Sequence, residues 1–188
     1  MTMGAPVSIP RRLLNVEEYY RLGKAGVLGE EDRVELIEGE MLEMAPIGGP
    51  HAYLVNRFNQ LFAAQLGNRG VLSIQNPILL PPRNVPQPDV VILGPHSMTS
   101  RELPRASDVL LVIEVSHTTV EYDRDVKIPI YATHGIVEVW LCEVASQRLS
   151  IHLEPDASGY QRLLKPSNDA TISPSRLPGV KIRLADLW

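Results

Sequence analysis

The run VLLVIEV, residues 109–115, is the most apolar strand-forming stretch of the chain. A run this apolar is typical of a strand that is buried on both faces, as the central strands of mixed sheets are. Around it, the expected elements follow in the order helix, hairpin, helix, several strands, helix and further strands. The sequence therefore predicts an α/β (α+β) fold in which a central mixed β-sheet is flanked by helices.

Patterns on the N-terminal side of this strand predict a helix, a hairpin and a second helix. Asn15 can cap a helix through VEEYYRLGKAGVL, residues 16–28, because its side chain can accept a free backbone N–H in the first turn. The segment RVELIEGEMLEM alternates apolar and acidic residues across a Glu38–Gly39 turn, which indicates a hairpin. Residues 50–66 carry apolar side chains at helical spacing. Short strands VLSIQ, NPILL and DVVIL are expected after that helix.

Patterns on the C-terminal side predict a third helix and a run of strands. Thr118 stands three residues before Glu121, the spacing of a capping box, and the helix is expected to run to about Thr133. Gly135 is expected to end it, and Pro129 to remove one of its hydrogen bonds and kink it. The stretches VEVWLCEV and RLSIHLE predict a hairpin, and YQRLLK predicts one more strand.

Composition limits the domain organisation, the compartment and the partners. The 188 residues suit a single domain, expected over residues 13–188 after a loose leader at residues 1–12. The net charge of −4 argues against binding of nucleic acid by the whole surface but leaves room for a local basic groove. The single cysteine, Cys142, favours a reducing cytoplasm. Neither a zinc pattern nor an apolar run of ~18 residues is present in the sequence, so we expect no membrane span.

Two carboxylates stand at strand positions where a charge is costly. Asp89 begins the predicted strand DVVIL, and Glu114 lies near the end of VLLVIEV. A buried carboxylate must be paired, protonated or bound to a cation, because its isolated burial costs several kcal/mol. If the two strands are neighbours, both acids could hold Mg²⁺, and Lys127 on the following helix could reach over them. Each residue also has a commoner structural role: Asp89 as a turn residue, Glu114 as a solvated or salt-bridged acid, and Lys127 as a surface lysine.

Five blocks of the chain resemble the Uma2 family of predicted endonucleases, from about residue 12 to the end and in the same order. The blocks are RVELIEGEMLEMAPIGGPHAYLVNRFNQLF, QNPILL, PQPDVVIL, DVLLVIEVSHTTVEYDRDVKIPIYATHGIVEVWLCE and SPSRLPGVKIRLADL. This resemblance implies the restriction-endonuclease-like PD-(D/E)xK fold. It also implies Mg²⁺ (or Mn²⁺) bound by Asp89 and Glu114, with Lys127 assisting the attacking water, DNA as partner and a possible homodimer.

One departure from the general nuclease pattern concerns the lysine. That pattern has lysine two residues after the second acid, on the same strand face, and this chain has Ser116 there. The resemblance therefore implies a migrated lysine, supplied by the helix as Lys127. Ser116 remains a secondary candidate. So do Glu35, which alternation in the hairpin would leave solvated, and His51, whose commoner role is a core or helix-start histidine.

Three functions remain open at this point. The first is a Mg²⁺-dependent DNA endonuclease, in which Asp89 and Glu114 hold the metal. The second is a catalytically inactive module of the same fold that binds nucleic acid or a protein, and the third is a hydrolase of another phosphate ester. The position of Lys127 separates them, because a lysine turned away from the acids favours the binding module. Candidate phosphate contacts are Arg57, Arg101, Arg105 and Arg124.

Overall fold

The computed structural model describes residues 11–29 and 31–188. Its N-terminal part contains helix α1 (Val16–Lys24), the strands β1 (Val34–Ile37) and β2 (Glu40–Glu43), and helix α2 (Gly49–Leu66). Asn15 caps α1 as predicted, since its Oδ1 accepts the N–H of Glu18 at 2.8 Å. Helix α1 ends before the predicted residue 28. Of the predicted leader, residues 1–10 lie outside the described residues, whereas Arg11 and Arg12 form ion pairs with Glu40 and Glu18.

A six-stranded mixed sheet forms the centre of the fold. Its strands are β3 (Val71–Ile74), β4 (Val90–Leu93), β5 (Val109–Ser116), β6 (Glu138–Glu143), β7 (Arg148–Asp156) and β8 (Gly159–Leu164), hydrogen-bonded in that order. Only the β5–β6 pair is parallel among these described strands. Seven of the eight residues of β5 are buried, which confirms that this strand is covered on both faces. A short pair, β9 (Thr171–Ile172) and β10 (Ile182–Arg183), follows the sheet.

Alternate residues of β5 belong to two separate apolar cores. Ile113 and Val115 pack with α2 and the C-terminal segment, where Phe62 lies 6.0 Å from Trp140 between ring centroids. Val112 faces the opposite core, which the helical segment after β5 covers. Because side chains alternate along a strand, Glu114 lies on the same face as Val112. The face of the helical segment is therefore the one that carries the candidate acid.

The helical segment after β5 differs from the regular helix expected from the sequence. It consists of α3 (Val120–Tyr122), a π-helical turn (Asp123–Lys127) and α4 (Ile128–Thr133). The predicted capping box at Thr118 is wrong, because the helix starts after Thr119, whose hydroxyl instead donates to Asp123 at 2.9 Å. Gly135, at φ 75°, follows the end of α4 as predicted. Pro129 lies two residues after the π-helical turn, so the regular hydrogen-bond pattern of the segment is interrupted just before the proline.

The predicted strand NPILL is also wrong. Leu79 and Leu80 form only isolated bridges, to Arg105 and Asn84, so this proline-rich segment crosses the fold without joining the sheet. Its apolar side chains explain the pattern, since Ile78 and Leu80 are fully buried in the core below the helical segment. Within the described part of the chain, none of the helices combines the length and apolarity needed to cross a bilayer.

Candidate functional site

Asp89 and Glu114 meet at one end of the sheet because β4 and β5 are antiparallel neighbours. The register pairs Val90 with Ile113, so the residues that precede and follow this pair stand opposite each other. Asp89 is anchored there by the backbone, since its Oδ2 accepts the N–H of Val115 at 2.9 Å. The convergence of the two acids that the sequence suggested is therefore present in the fold.

Lys127 turns inward from the π-helical turn and reaches Glu114. Its Nζ lies 2.9 Å from Glu114 Oε1, and both side chains are at least nine-tenths buried. Tyr131 lies one turn further along and donates its hydroxyl to the same oxygen at 2.6 Å. Both contacts use Oε1, which leaves the other oxygen of Glu114 for a further ligand. Lys127 thus points toward the acids, the position that favours a nuclease over the catalytically inactive binding module.

The charges of this pair are set by burial and by neighbouring acids. Burial raises the pKa of Glu114 to about 8, against the lowering effect of the Lys127 ammonium. Burial alone would lower the pKa of Lys127, but the carboxylates of Glu114, Glu35 and Asp123 raise it overall. Lys127 therefore remains an ammonium at neutral pH, and burial keeps the pKa of Glu114 above its usual range in spite of this partner.

Glu35 is buried in the site, so the expectation that it is solvated is wrong. Its exposed fraction is 5%, and its Oε2 lies 3.5 Å from Lys127 Nζ. The same oxygen accepts the N–H of Gln87 at 3.2 Å. The hairpin packs against the segment before β4, where Leu36 bridges to Val85, and this packing turns the Glu35 side chain inward. Alternation along the hairpin could not reveal this, because which face of a hairpin is covered depends on tertiary packing.

His51 borders the site from the first turn of α2. Its Nε2 lies 3.0 Å from Asp89 Oδ1, and Gln75 Nε2 lies 3.3 Å from the same oxygen. The other ring nitrogen of His51 is buried without a partner among the described residues. The interpretation of His51 as a residue at the border of the site therefore agrees with its contacts, and it holds the carboxylate of Asp89 on the side away from Val115.

Ser116 shapes the loop after β5 and does not line the cavity. The residue is fully buried, and its Oγ lies 3.2 Å from the hydroxyl of Thr119. Thr119 in turn donates to Asp123, which is itself buried. This chain of hydroxyls holds the start of the helical segment that carries Lys127. Ser116 therefore acts on the site only indirectly, through the segment that carries Lys127.

Tyr131 is a site residue that the sequence analysis did not select. The signal was its position four residues after Lys127, which places both side chains on one face of the helical segment. His134 shares that face in sequence but not in the structure, because its Nε2 lies 3.1 Å from the carbonyl oxygen of Pro81. His117, which the sequence analysis also did not select, lines the same cavity as Glu114.

The acids open onto one cavity of about 550 Å³. Besides the side chains described above, it is bounded by the loop at residues 44–48 between the hairpin and α2. Residues that line it include Arg33, Glu35, Glu43, His51, Asp89, Glu114, Asp123 and Lys127. Acids outnumber bases in this lining, so the cavity favours a cation, or an anion that arrives together with one.

The donor set fits a divalent cation that keeps part of its water shell. Across residues 11–29 and 31–188, no group of three or more His, Cys, Asp or Glu side chains is arranged to hold a metal by itself. Mg²⁺ commonly takes only one or two carboxylates, with waters and substrate phosphate as its other ligands. Asp89 and Glu114 supply such a pair. The hydroxyl of Tyr122, which also lines the cavity, is buried without a partner in the described part of the chain.

Two of the four arginines considered as phosphate contacts have other side-chain partners. Arg57 donates to the carbonyl oxygen of Asp186 at the C-terminal segment, and Arg124 forms a bidentate ion pair with Asp125. Arg105 holds the turn before β5 through its backbone N–H, whereas Arg101 is exposed in the polar loop. Among the described residues, the side chains of Arg101 and Arg105 are therefore the two of these four that are exposed and form no ion pair or side-chain hydrogen bond.

Comparison with known proteins identifies a family and a structural neighbour of similar fold. The model of the Uma2 family, described as "Putative restriction endonuclease", matches residues 16–185. A crystal structure described as "a putative nuclease belonging to DUF820", from Anabaena variabilis ATCC 29413, superposes with a TM-score of 0.72 at 15% sequence identity. That match covers 93% of this chain and 97% of the other. No match was found among the curated proteins. The structural likeness confirms the predicted fold class.

Proposed function

We propose that this chain, which belongs to the Uma2 family, is a metal-dependent endonuclease that hydrolyses phosphodiester bonds of DNA. In this proposal Asp89 and Glu114 are the ligands of Mg²⁺ or Mn²⁺, and Lys127 stands beside the attacking water. The observation that carries it is the 2.9 Å contact of Lys127 with Glu114, in the cavity that Asp89 also lines. The family description and the neighbour's description as a nuclease support the same reaction class.

Each group has a role that follows from its contacts. Bound at the two carboxylates, a divalent cation supplies a Lewis acid that polarises the phosphate and lowers the pKa of a water. Lys127, held as an ammonium by Glu114 and Glu35, stabilises negative charge that develops on the phosphate oxygens. Tyr131 and His51 are positioning residues, since each fixes one carboxylate oxygen and touches no reacting atom.

Metal binding is the first test, by isothermal titration calorimetry with Mg²⁺ and Mn²⁺. Asp89→Asn keeps an oxygen that can accept the Val115 N–H, and Glu114→Gln keeps an acceptor for Tyr131, so both variants remove charge with little change of shape. Wild type is expected to bind one cation, and both variants to lose that binding. Glu121→Gln removes an exposed acid outside the cavity and serves as the control.

Cleavage of plasmid and linear DNA then tests the role of Lys127. Lys127→Met is expected to bind the metal and lose cleavage, while Lys24→Met, an exposed lysine of α1, retains it. A folded wild type that binds neither cation would refute the proposal. That result would leave the catalytically inactive module, which binds nucleic acid or a protein, as the better interpretation. Serine at position 116 in place of the usual lysine is the observation that keeps this alternative open.

Localisation and assembly follow from the same proposal. A nuclease of cellular DNA would act in the cytoplasm, and cutting of both strands is met most simply by a homodimer with two sites. Analytical ultracentrifugation with and without a DNA duplex measures the second point directly. A monomer in both conditions would limit the protein to nicking or to sequential cuts.

A further inference from the structure

A second cavity of about 510 Å³ lies at the end of the sheet, on the strands beyond β6. Its character is opposite to that of the acidic cavity, because bases and hydroxyl groups outnumber acids in its lining. Glu143 is the one acid among its described lining residues, and it already accepts the hydroxyl of Ser146 at 2.8 Å. The hydroxyl of Ser167 likewise donates to Asp169, and that of Ser150 lies 3.1 Å from His152 Nε2. The lining side chains whose N–H groups have no partner among the described residues are Arg148, Lys165 and Asn168.

The strand register connects this cavity with the acidic one. At this end of the sheet, Ser116 of β5 pairs with Glu143 of β6, and Glu143 pairs with Arg148 of β7. Cross-strand partners project their side chains to the same face of a sheet. Ser116 shares its face with Glu114, two residues earlier on the same strand. Arg148 therefore projects to the face of the sheet that carries the candidate metal ligand.

A second row of cross-strand partners leads to Lys165. Glu114 pairs with Leu141, and Leu141 pairs with Ser150. The β7–β8 register pairs Ile151 with Leu164, so Lys165, the next residue, stands opposite Ser150. Neighbouring strands lie ~4.8 Å apart, which puts β7 roughly 10 Å and β8 roughly 14 Å from β5. Along the axis of B-DNA, each nucleotide of one strand rises 3.4 Å, so these distances correspond to about three or four nucleotides.

Arg148 and Lys165 are the cations in this row that remain available. Both are exposed, and among the residues that the structure describes neither forms an ion pair. Nearby arginines differ in this respect, since Arg124 is bound to Asp125 and Arg162 lies 3.5 Å from Glu154. Arginine, lysine and asparagine side chains are among the donors that contact phosphate oxygens in protein–DNA complexes.

We propose that the second cavity binds the phosphate backbone of the DNA substrate a few nucleotides from the bond that is cut. Arg148 and Lys165 supply the charge, and the amide of Asn168 supplies a further hydrogen bond. The inference rests on the proposed function for the position of the cut. The DNA backbone would run from the acidic cavity across the ends of the strands, past Glu143, to β7 and β8. Such contacts position the duplex and carry no sequence preference.

The test measures binding and cleavage separately. Fluorescence anisotropy of a short labelled duplex in EDTA reports binding without cleavage, at a series of salt concentrations. The double variant Arg148→Ala/Lys165→Ala is compared with Arg162→Ala/Lys181→Ala, which removes the same charge from exposed positions outside the cavity. Because all four side chains are exposed, both proteins are expected to fold, which circular dichroism verifies.

Loss of two phosphate contacts is expected to weaken binding on the order of tenfold and to lower the slope of log K against log salt by about 2. The control variant should keep most of the slope. An equal loss in both variants, no loss in either, or a wild type that binds no duplex would overturn the inference. Wild-type protein that binds through this cavity but never cuts DNA would instead overturn the proposed endonuclease and leave the phosphate site standing.

Discussion

Replacing Lys127 by methionine tests the charge state of the buried acid next to it. Methionine fills similar volume and removes the ammonium that lies 2.9 Å from Glu114 and 3.5 Å from Glu35. With Lys127 in place, burial raises the pKa of Glu114 from its usual value of 4.5 to about 8. Without the ammonium that opposes burial, this pKa must rise further.

The expected effect on stability depends on pH in a defined way. Because the folded pKa of Glu114 exceeds the unfolded value, folded wild type becomes less stable as pH rises from about 4.5 to about 8, and this contribution then levels off. In Lys127→Met the decline continues beyond pH 8. The stability difference between the two proteins is therefore constant below pH 8 and grows by about 1.4 kcal/mol per pH unit above it. At about pH 9.5 it should exceed the value at about pH 6.5 by roughly 2 kcal/mol.

Urea unfolding in EDTA measures this difference, with fluorescence of the two tryptophans as the signal. Lys24→Met is the control for loss of a lysine charge at the surface. A second control compares Lys127→Met with Lys127 retained in the Glu114→Gln background, where the growth of the stability difference above pH 8 should vanish because Glu114 no longer titrates. A difference that stays constant up to pH 9.5 between wild type and Lys127→Met would refute the reasoning, since it would mean that the ammonium does not shift the titration of Glu114 in this range.

Three further substitutions test single contacts. Tyr131→Phe removes the 2.6 Å hydrogen bond to Glu114, so urea unfolding should show a loss of about 1 kcal/mol. Because this hydrogen bond lowers the pKa of Glu114, the pH at which the stability of the variant levels off should lie above that of wild type. Glu138→Ala leaves the indole N–H of Trp140 and a backbone N–H without their buried acceptor, and a loss of at least ~2 kcal/mol is expected, while a change under ~1 kcal/mol would contradict it. Gly135→Ala puts a side chain at φ 75° and should lower the free energy of unfolding by roughly 1 kcal/mol, with no effect on metal binding.

Sequence reasoning was most accurate where local pattern and burial agree. The hairpin, helix α2 and strand β5 all have a period that matches a covered face, and each lies within a residue or two of its predicted bounds. The segment NPILL shows the opposite case. Its apolar residues are buried as their composition suggests, but the prolines on both sides deprive the backbone of ladder partners. An apolar run reveals burial, and it reveals pairing only when the backbone is free to pair.

The residues of the site also differ in how far the sequence alone could reveal them. Asp89, Glu114 and Lys127 could be selected because a charge in or next to an apolar run is unusual, and the family resemblance gave them a common role. The burial of Glu35 could not be inferred, since it depends on how the hairpin docks on the segment before β4. Tyr131 reads as an ordinary core aromatic until its hydroxyl is seen to donate to Glu114.

The π-helical turn accounts for how a helix can supply the lysine that the strand lacks. The N–H of Ile128 bonds to the carbonyl of Asp123, five residues earlier, so the turn contains one residue more than an α-helical turn. In an uninterrupted helix the ring of Pro129 would clash with the carbonyl of the residue four positions before it. The widened turn relieves that clash and advances Lys127 and Tyr131 together onto the face that meets Glu114.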